Sequence, residues 1–306
     1  MDDSYDCVIA GAGPAGLSAA IYLARFNRSV LVVDDGSGRS TTHEVNENYL
    51  GFPEGIASKE LRQRGRQQAE RFEARFARGC IRQARRTDAG FQLTGDVQDI
   101  LGRTFIIATG VSDRFPDFGN TQEFVGRSLF WCIICDGHKA SGKRAGVVGQ
   151  TDEAAVTCMQ FLNFTDKLAF ITNAEPGRAA LGEKARGRLR SAGIPISEGV
   201  IAGVEGEGGM IRAARLSSGE RVEMELMFSI QGSEPKNDLA KQLGVALNEQ
   251  GFIQTDLEQR TNVAGVYAAG DVTRIFSHQV VTAAHEGATA AITANYDLYR
   301  PDQKEG

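Results

Sequence analysis

The feature that most constrains this fold is a glycine motif near the start of the chain. Residues 11–16 read GAGPAG, with glycine at the first, third and sixth positions. The motif follows the apolar run 5–10 and precedes LSAAIYLARF, in which apolar residues recur at helical spacing. The β-branched run 29–33 then ends in Asp34. This order predicts a strand, a tight turn, a helix and a parallel strand, which together form one βαβ unit.

The positions of the glycines predict a dinucleotide site. Gly11 permits the tight turn, Gly13 allows the backbone to approach a pyrophosphate, and Gly16 allows the helix to pack close to the strand. The amides and dipole at the helix start favour phosphate. The Asp34 carboxylate, at the end of the second strand, can accept hydrogen bonds from ribose hydroxyls. A purely structural glycine turn is the alternative, and the motif alone does not separate FAD from NAD.

A second βαβ pattern begins near Arg144. RAGVVG is typical of a strand, TDEAAVTCMQFL of a helix and KLAFIT of another strand. The Pro- and Gly-containing segments 115–120 and 232–237 predict the two crossovers between domains. The sequence therefore predicts an α/β fold with two doubly wound Rossmann-like domains, the second inserted into the first. The predicted parts are 1–116 and 234–306 for the first domain and 117–233 for the insert.

Composition and charge exclude several classes of protein. The net charge of −5 gives no electrostatic reason to bind nucleic acid or an anionic membrane. No apolar run is long enough to predict a transmembrane helix. The start, MDDSYD, lacks the basic segment of a secretory signal, so we expect a soluble, cytoplasmic protein.

Two of the five cysteines form a C-x-x-C motif, Cys132 and Cys135. An odd number of cysteines without a signal peptide argues against a framework of structural disulfides. A zinc site would usually need two more ligands at compact spacing, and the chain has four histidines and no second C-x-x-C. We therefore predict a redox-active pair and no metal. Cys7 and Cys158 lie in apolar patterns typical of buried thiols, whereas Cys80 receives no role.

Five segments together resemble the low-molecular-weight thioredoxin reductase family, in the same order and at similar spacing. They are GAGPAG, TTHEVNENYLGF, ATG after TFII, CIICDG, and TNVAGVYAAGDV followed by HQVVTAAHEGATAA. The resemblance covers nearly the whole chain. It implies an FAD-dependent disulfide oxidoreductase, a homodimer, and a thioredoxin-like protein as the favoured partner.

The resemblance also implies roles for individual residues. On the adenosine half of FAD it implies contacts of the pyrophosphate with Gly11, Gly13, Pro14, Ala15 and Gly16, of the ribose with Asp34 and of adenine with Ile81. On the flavin half it implies contacts with Thr42, Asn48, Thr109 and Gly110, and of the ribitol or flavin phosphate with Asp271, which follows Gly270. Gln279, Val280 and Ala283 would lie near the isoalloxazine. The catalytic residues implied by the resemblance are Cys132, Cys135 and Asp136, the acid that handles a proton. His138 is a second candidate proton carrier, for which a surface role is the alternative.

The second glycine fingerprint departs from the family pattern. The turn reads GQTDEA, so Thr151 stands at the middle glycine, where its Cβ would obstruct a pyrophosphate. The family's His-Arg-Arg cluster for the 2′-phosphate of NADPH is replaced by Thr172, Asn173 and Ala174. Without clustered guanidinium groups a phosphate lacks charge-assisted partners, and Glu175 would repel it. We therefore doubt that NADPH is the electron donor.

The function predicted from the sequence is electron exchange between flavin, the cysteine pair, and a thioredoxin-like protein or small disulfide or dithiol. Ferredoxin, a dithiol and a second flavin are the candidate donors, and the direction of electron flow stays open. The alternatives are a conventional NADPH-dependent thioredoxin reductase, an oxygen-linked dithiol oxidase, and a flavoprotein sensor without turnover.

Overall fold

The chain divides into two compact units. The computed structural model describes residues 4–274 and 276–304, so part of the acidic N-terminal segment lies outside it. Unit 1 comprises Met1–Ser112 and Glu234–Gly306, and unit 2 comprises Asp113–Ser233. The first division thus comes before the predicted one at residue 116. The reason is that Phe115 and Phe118 pack against the core of unit 2, so the predicted crossover segment is a turn of that unit.

The elements follow the chain in three stretches. The first stretch contains β1 Ser4–Ala10, α1 Pro14–Arg25, β2 Val30–Asp34, β3 Val45–Asn46, β4 Ile56–Ala57, α2 Ser58–Glu70, β5 Arg75–Arg78, β6 Ile81–Thr87, β7 Gly90–Gly95, β8 Ile100–Ile107 and β9 Val111–Asp113. The second contains β10 Leu129–Phe130, α3 Ile133–Asp136, β11 Ala145–Val148, α4 Asp152–Gln160, β12 Leu168–Ile171, α5 Glu183–Ser191, β13 Ile196–Ser197, β14 Ile201–Glu207, β15 Met210–Leu216, β16 Arg221–Glu223 and β17 Leu226–Ser229. The third contains β18 Ser233–Pro235, α6 Asp238–Gln242, β19 Val266–Ala268 and α7 Val280–Leu298.

The main sheet of unit 1 is built around β1. Within the described residues the strand order is β5-β2-β1-β8-β7-β6, and β19 also pairs with β8. The pairs that involve β1, β2, β5 and β19 are parallel, whereas β6, β7 and the start of β8 form an antiparallel meander. Adjacent residues of β1 enter different cores, since Val8 and Ile9 belong to separate buried clusters. The sheet is therefore covered on both faces, as expected for parallel strands with continuous apolar runs.

Small side chains allow α1 and α7 to pack closely in one of these cores. The buried residues of this contact include Ala20 and Ala24 of α1 and Ala290 and Ala294 of α7. At Gly287 of α7, a Cβ atom would lie 2.0 Å from the carbonyl oxygen of Ala15. The contact therefore fixes the N-terminal turn of α1, which carries the glycine motif, against the C-terminal helix.

Unit 2 has a parallel five-stranded sheet with the order β10-β17-β11-β12-β13 in its described part. A three-stranded antiparallel sheet, β14-β15-β16, covers it through a cluster that includes Ile171, Ile211 and Met227. The other cluster contains Cys158 of α4 and Leu189 of α5. No helix in the described ranges is both long enough and apolar enough to cross a bilayer.

The substitution Gly287→Ala tests the contact between α1 and α7. We expect it to destabilise the protein by about 1–3 kcal/mol, because the new methyl group would force the helices apart. Gly187→Ala is a matched control, since a Cβ atom at this helical glycine of α5 meets nothing within 4 Å. The control should stabilise the protein by up to about 1 kcal/mol. Denaturant unfolding followed by circular dichroism measures both, and equal midpoints would contradict the role given to this contact.

Candidate functional site

The glycine loop between β1 and α1 brings backbone atoms close together at two of its three glycines. Gly11 has φ +104°, and a Cβ atom there would lie 2.4 Å from the Ala108 carbonyl oxygen. At Gly16 a Cβ would lie 1.9 Å from the Gly11 carbonyl oxygen. At Gly13, the N-cap of α1, a Cβ would meet only the Ser40 hydroxyl, at 4.0 Å. Packing therefore requires the outer glycines, whereas the middle one leaves open space at the helix start. Pro14 and Ala15 follow as the first residues of α1.

The Asp34 carboxylate, at the end of β2, is held by three groups. Its Oδ1 accepts a hydrogen bond from the Ala12 amide at 2.9 Å, and its Oδ2 accepts one from the Gly36 amide at 3.1 Å. Arg62 of α2 forms an ion pair with Oδ2 at 2.9 Å, and both side chains are about one-fifth exposed. The structure thus adds Arg62 to the residues predicted from the sequence, which gave no signal linking α2 to this carboxylate.

The second predicted carboxylate, Asp271, is also paired with an arginine. Its Oδ2 lies 2.8 Å from Nη1 of Arg39, a residue far from Asp271 in the sequence. The Gly270 amide donates to Oε2 of the buried Glu286 at 2.7 Å, and Arg274 forms an ion pair with the same glutamate. Glu286 therefore links α7 to the turn that presents Asp271.

The structure brings two of the predicted flavin contacts together. The Asn48 amide donates to Oε1 of Gln279 at 2.8 Å, and Gln279 is the N-cap of α7. Val280 is the first residue of that helix, and Ala283 is buried one turn later. The Thr42 hydroxyl makes a different hydrogen bond, which it donates to the Arg39 carbonyl oxygen at 2.8 Å.

The other predicted contacts of unit 1 are tied to its backbone or core. The Thr109 hydroxyl donates to the Lys236 carbonyl at 2.6 Å, and the Lys236 amide donates to the Gly110 carbonyl at 3.0 Å. Ile81, at the start of β6, is 6% exposed and belongs to the core. Its side chain is thus occupied by core packing at the position where the family resemblance implies an adenine contact.

In unit 2, Cys132 and Cys135 form a disulfide with a Cα–Cα separation of 5.3 Å. Cys132 is the N-cap of the short helix α3, and its sulfur accepts a hydrogen bond from the Cys135 amide at 3.1 Å. Ile134, between them, is 67% exposed. The geometry therefore combines a closed disulfide with an amide donor directed at one of its sulfurs.

The two predicted proton carriers lie in different environments. Asp136 is fully buried, and Lys139 places its Nζ 2.8 Å from the Asp136 Oδ1. Lys139 also lies 5.0 Å above the ring of Phe130. The side chain of His138 is exposed. The i,i+3 spacing of Asp136 and Lys139 was a signal for this ion pair that the sequence analysis missed.

In unit 2, the turn between β11 and α4 corresponds to the glycine loop of unit 1, and its own side chains bond to backbone amides. Thr151 is the N-cap of α4, and its hydroxyl accepts a hydrogen bond from the Ala154 amide at 3.3 Å. Asp152 and Glu153 occupy the first turn, and the Asp152 carboxylate accepts from the Gly182 amide at 2.7 Å. A threonine cap stabilises a helix by about 1 kcal/mol relative to alanine. Here it also occupies an amide that a phosphate would use.

The residues after β12 are also committed to the fold. Thr172 is fully buried, and its hydroxyl donates to the Ala174 carbonyl at 3.3 Å. Asn173 adopts φ +48°, accepts from the Ile201 amide at 2.9 Å and donates to Gln231 at 3.2 Å. This segment thus presents an amide and a buried hydroxyl where the family has basic side chains.

The cysteines outside the pair fall into two kinds. Cys7 and Cys158 are fully buried, and burial raises the pKa of each thiol to about 12. Cys80 is a free thiol of intermediate exposure. Among the residues described, no group of three or more His, Cys, Asp or Glu side chains is arranged to hold a metal ion.

Comparison with known proteins gives consistent matches over most of the chain. The family model described as "Pyridine nucleotide-disulphide oxidoreductase" matches residues 5–289. The thioredoxin reductase of Treponema pallidum is 31% identical over 303 residues, covering 96% of this chain and 97% of its own.

Solved structures give the same result. The thioredoxin reductase from Giardia duodenalis has a TM-score of 0.85 and 25% identity, covering 96% of this chain and 99% of its own. The atypical thioredoxin reductase TRi from Desulfovibrio vulgaris Hildenborough is 35% identical with a TM-score of 0.53, covering 95% and 97%. Together with the glycine loop and the disulfide, these matches show that the chain belongs to the pyridine nucleotide-disulphide oxidoreductases, within the low-molecular-weight thioredoxin reductase family of flavin-dependent enzymes that act on sulfur groups.

Proposed function

We propose that the protein exchanges two electrons between an FAD held by unit 1 and the Cys132–Cys135 pair, and between this pair and an external disulfide or dithiol. The favoured partner is a thioredoxin-like protein, with a small disulfide or dithiol as the other possibility. The observation that carries the proposal is the Cys132–Cys135 disulfide with its amide donor, in a chain of this family. A cytoplasmic homodimer is part of the proposal and rests on the family resemblance.

The residues of unit 1 fit the FAD that the family implies. Gly13 leaves open space at the start of α1, where backbone amides would bind the pyrophosphate. The Asp34 carboxylate would accept hydrogen bonds from the adenosine ribose, and Asp271 follows Gly270 in the turn after β19. FAD supplies a two-electron redox partner when it is bound.

The cysteines carry out thiol–disulfide exchange in both directions. A thiolate of the reduced pair attacks one sulfur of the substrate disulfide, which forms a mixed disulfide and releases the other substrate sulfur as a thiolate. The second cysteine, as its thiolate, then attacks the mixed disulfide, closes the Cys132–Cys135 bond and releases the reduced substrate. The Cys135 amide favours a thiolate on Cys132, so we propose Cys132 as the attacking residue.

NADPH is not the donor in this proposal. Thr151 caps the start of α4, and the acidic residues Asp152 and Glu153 stand in its first turn, where a pyrophosphate would bind. The helix dipole stabilises a bound anion less where acidic side chains already lie in the first turn of the helix. We propose ferredoxin, a dithiol or a second flavin as the redox partner of the protein.

A conventional NADPH-dependent thioredoxin reductase is the main alternative, and the name of a relative from Arabidopsis thaliana, NADPH-dependent thioredoxin reductase 3, favours it. Direct transfer of electrons from dithiols to oxygen is the other. A flavoprotein sensor without turnover is disfavoured by the disulfide.

Replacement of Cys132 or Cys135 by serine tests the exchange mechanism. We expect dithiothreitol to bleach the flavin of the wild-type protein under argon. In each variant the rate of bleaching should fall by about a hundredfold or more, because the two cysteines act together and one of them is removed. Cys80→Ser is the control and should retain the wild-type rate, since Cys80 is outside the disulfide. Bleaching at the wild-type rate in either active-site variant would overturn the mechanism.

Anaerobic titration with nicotinamide cofactors tests the donor. We expect NADPH and NADH to leave the flavin oxidised, because the loop of unit 2 offers neither an open helix start nor a guanidinium cluster. Dithiothreitol added afterwards to the same sample should bleach the flavin and so show that it is reducible. Rapid bleaching by NADPH would instead establish the conventional thioredoxin reductase.

Alkylation of the reduced protein tests the assignment of the attacking thiol. At neutral pH we expect iodoacetamide to modify Cys132 before Cys135, because the Cys135 amide donates a hydrogen bond to the Cys132 sulfur. Cys7 and Cys158, with pKa values of about 12, should stay unmodified until the protein unfolds. Peptide mass spectrometry of timed samples measures the order. Labelling of Cys135 first would assign the attack to the other cysteine.

A further inference from the structure

Arg62 connects three elements around the glycine loop. It belongs to α2, and its guanidinium reaches the Asp34 Oδ2 at 2.9 Å and the Ala12 carbonyl oxygen at 3.3 Å. Asp34 in turn accepts the Ala12 amide at 2.9 Å. The ion pair therefore holds both polar backbone groups of Ala12, the residue between the first two glycines of the motif.

The other two arginines of α2 form their ion pairs within the helix. Arg64 pairs with Glu60 and Arg66 with Glu70, both at i,i+4 within the helix, and the arginine side chains are 60% and 55% exposed. Such surface pairs contribute little to stability. The Arg62 side chain is 19% exposed and its contacts join α2 to β2 and to the loop before α1. Arg62 is thus the arginine of this helix whose ion pair joins it to another element, whereas Arg66 reaches β5 only through the ring of Phe76.

The positive charge of Arg62 also affects how a negatively charged ligand would bind beside Asp34. A bound pyrophosphate brings negative charge close to Asp34, and an uncompensated carboxylate beside it would be repelled. The Arg62 guanidinium compensates Asp34 through a charge-assisted hydrogen bond. Ala12 and Asp34 accept from two of the five N–H donors that a guanidinium carries, so neither of them uses the other three.

We propose that Arg62 is a positioning residue for the adenosine half of FAD. It fixes the Asp34 carboxylate and the Ala12 peptide in the geometry that receives the ribose and pyrophosphate, and it offsets the charge of Asp34. The inference rests on the proposed FAD site of unit 1. It concerns retention of the cofactor and does not require disulfide exchange.

The test is the dissociation constant of FAD from the deflavinated full-length protein, measured by quenching of FAD fluorescence. We expect Arg62→Gln to weaken FAD binding by about tenfold or more, because a charge-assisted contact is lost. Arg62→Lys should recover part of the affinity, since it keeps the charge but loses the two-point fork. Arg64→Gln is the matched control on the same helix and should bind like the wild type. Circular dichroism of each apoprotein shows whether α2 and the fold persist.

A double-mutant cycle with Asp34→Asn separates positioning from a general structural effect. Because Arg62 acts through Asp34, we expect Asp34→Asn to cost less affinity in the Arg62→Gln background than in the wild type. Additive losses, equal losses in the Arg62 and Arg64 variants, or unchanged binding after Arg62→Gln would overturn the inference. Failure of the wild-type apoprotein to bind FAD would instead overturn the proposed function, so the two failures are distinguishable.

Discussion

The architecture of unit 1 depends on backbone atoms that approach closely where side chains are missing. Gly16 brings the start of α1 against the Gly11 carbonyl, and Gly287 brings α7 against Ala15. These contacts place the N-terminal turn of α1 between the end of β1 and the C-terminal helix. Gly270 completes the arrangement, because a Cβ there would lie 2.9 Å from the Cβ of Ala15. The loop, the turn before Asp271 and the helix α7 are thus fixed by one set of small residues.

The two βαβ units of the chain show how one residue changes the use of the same local structure. Gly13 and Thr151 are each the N-cap before a helix. Gly13 supplies no side-chain cap, so the amides of the first turn stay directed at open space. Thr151 caps the Ala154 amide and is followed by two acidic residues. The first helix start is therefore suited to an external anion, whereas the second is satisfied by its own chain.

Local patterns predicted the elements because periodicity and glycine positions act over short distances. The strand before the motif, the helix after it and the C-terminal helix from Val280 agree with their predicted positions to within a few residues. Pro and Gly predicted a break in regular structure at 115–120 but could not show that Phe115 and Phe118 pack against the core of unit 2. Arg62 and Arg39 could not be predicted, because each meets its carboxylate across the fold and no sequence spacing encodes that approach. The pairing of Cys132 with Cys135 was accessible because their separation lies within one helical turn.

The residues after β12 contribute to the stability of unit 2. Asn173 holds the Ile201 amide and Gln231, and Thr172 is buried in the turn after β12. A basic side chain at Asn173 would lose these hydrogen bonds, and one at Thr172 would bury a charge without a partner. Restoring a phosphate site would therefore weaken contacts on which the present turn depends. The side chains at Thr172 and Asn173 are therefore part of the packing that holds the residues after β12 to unit 2.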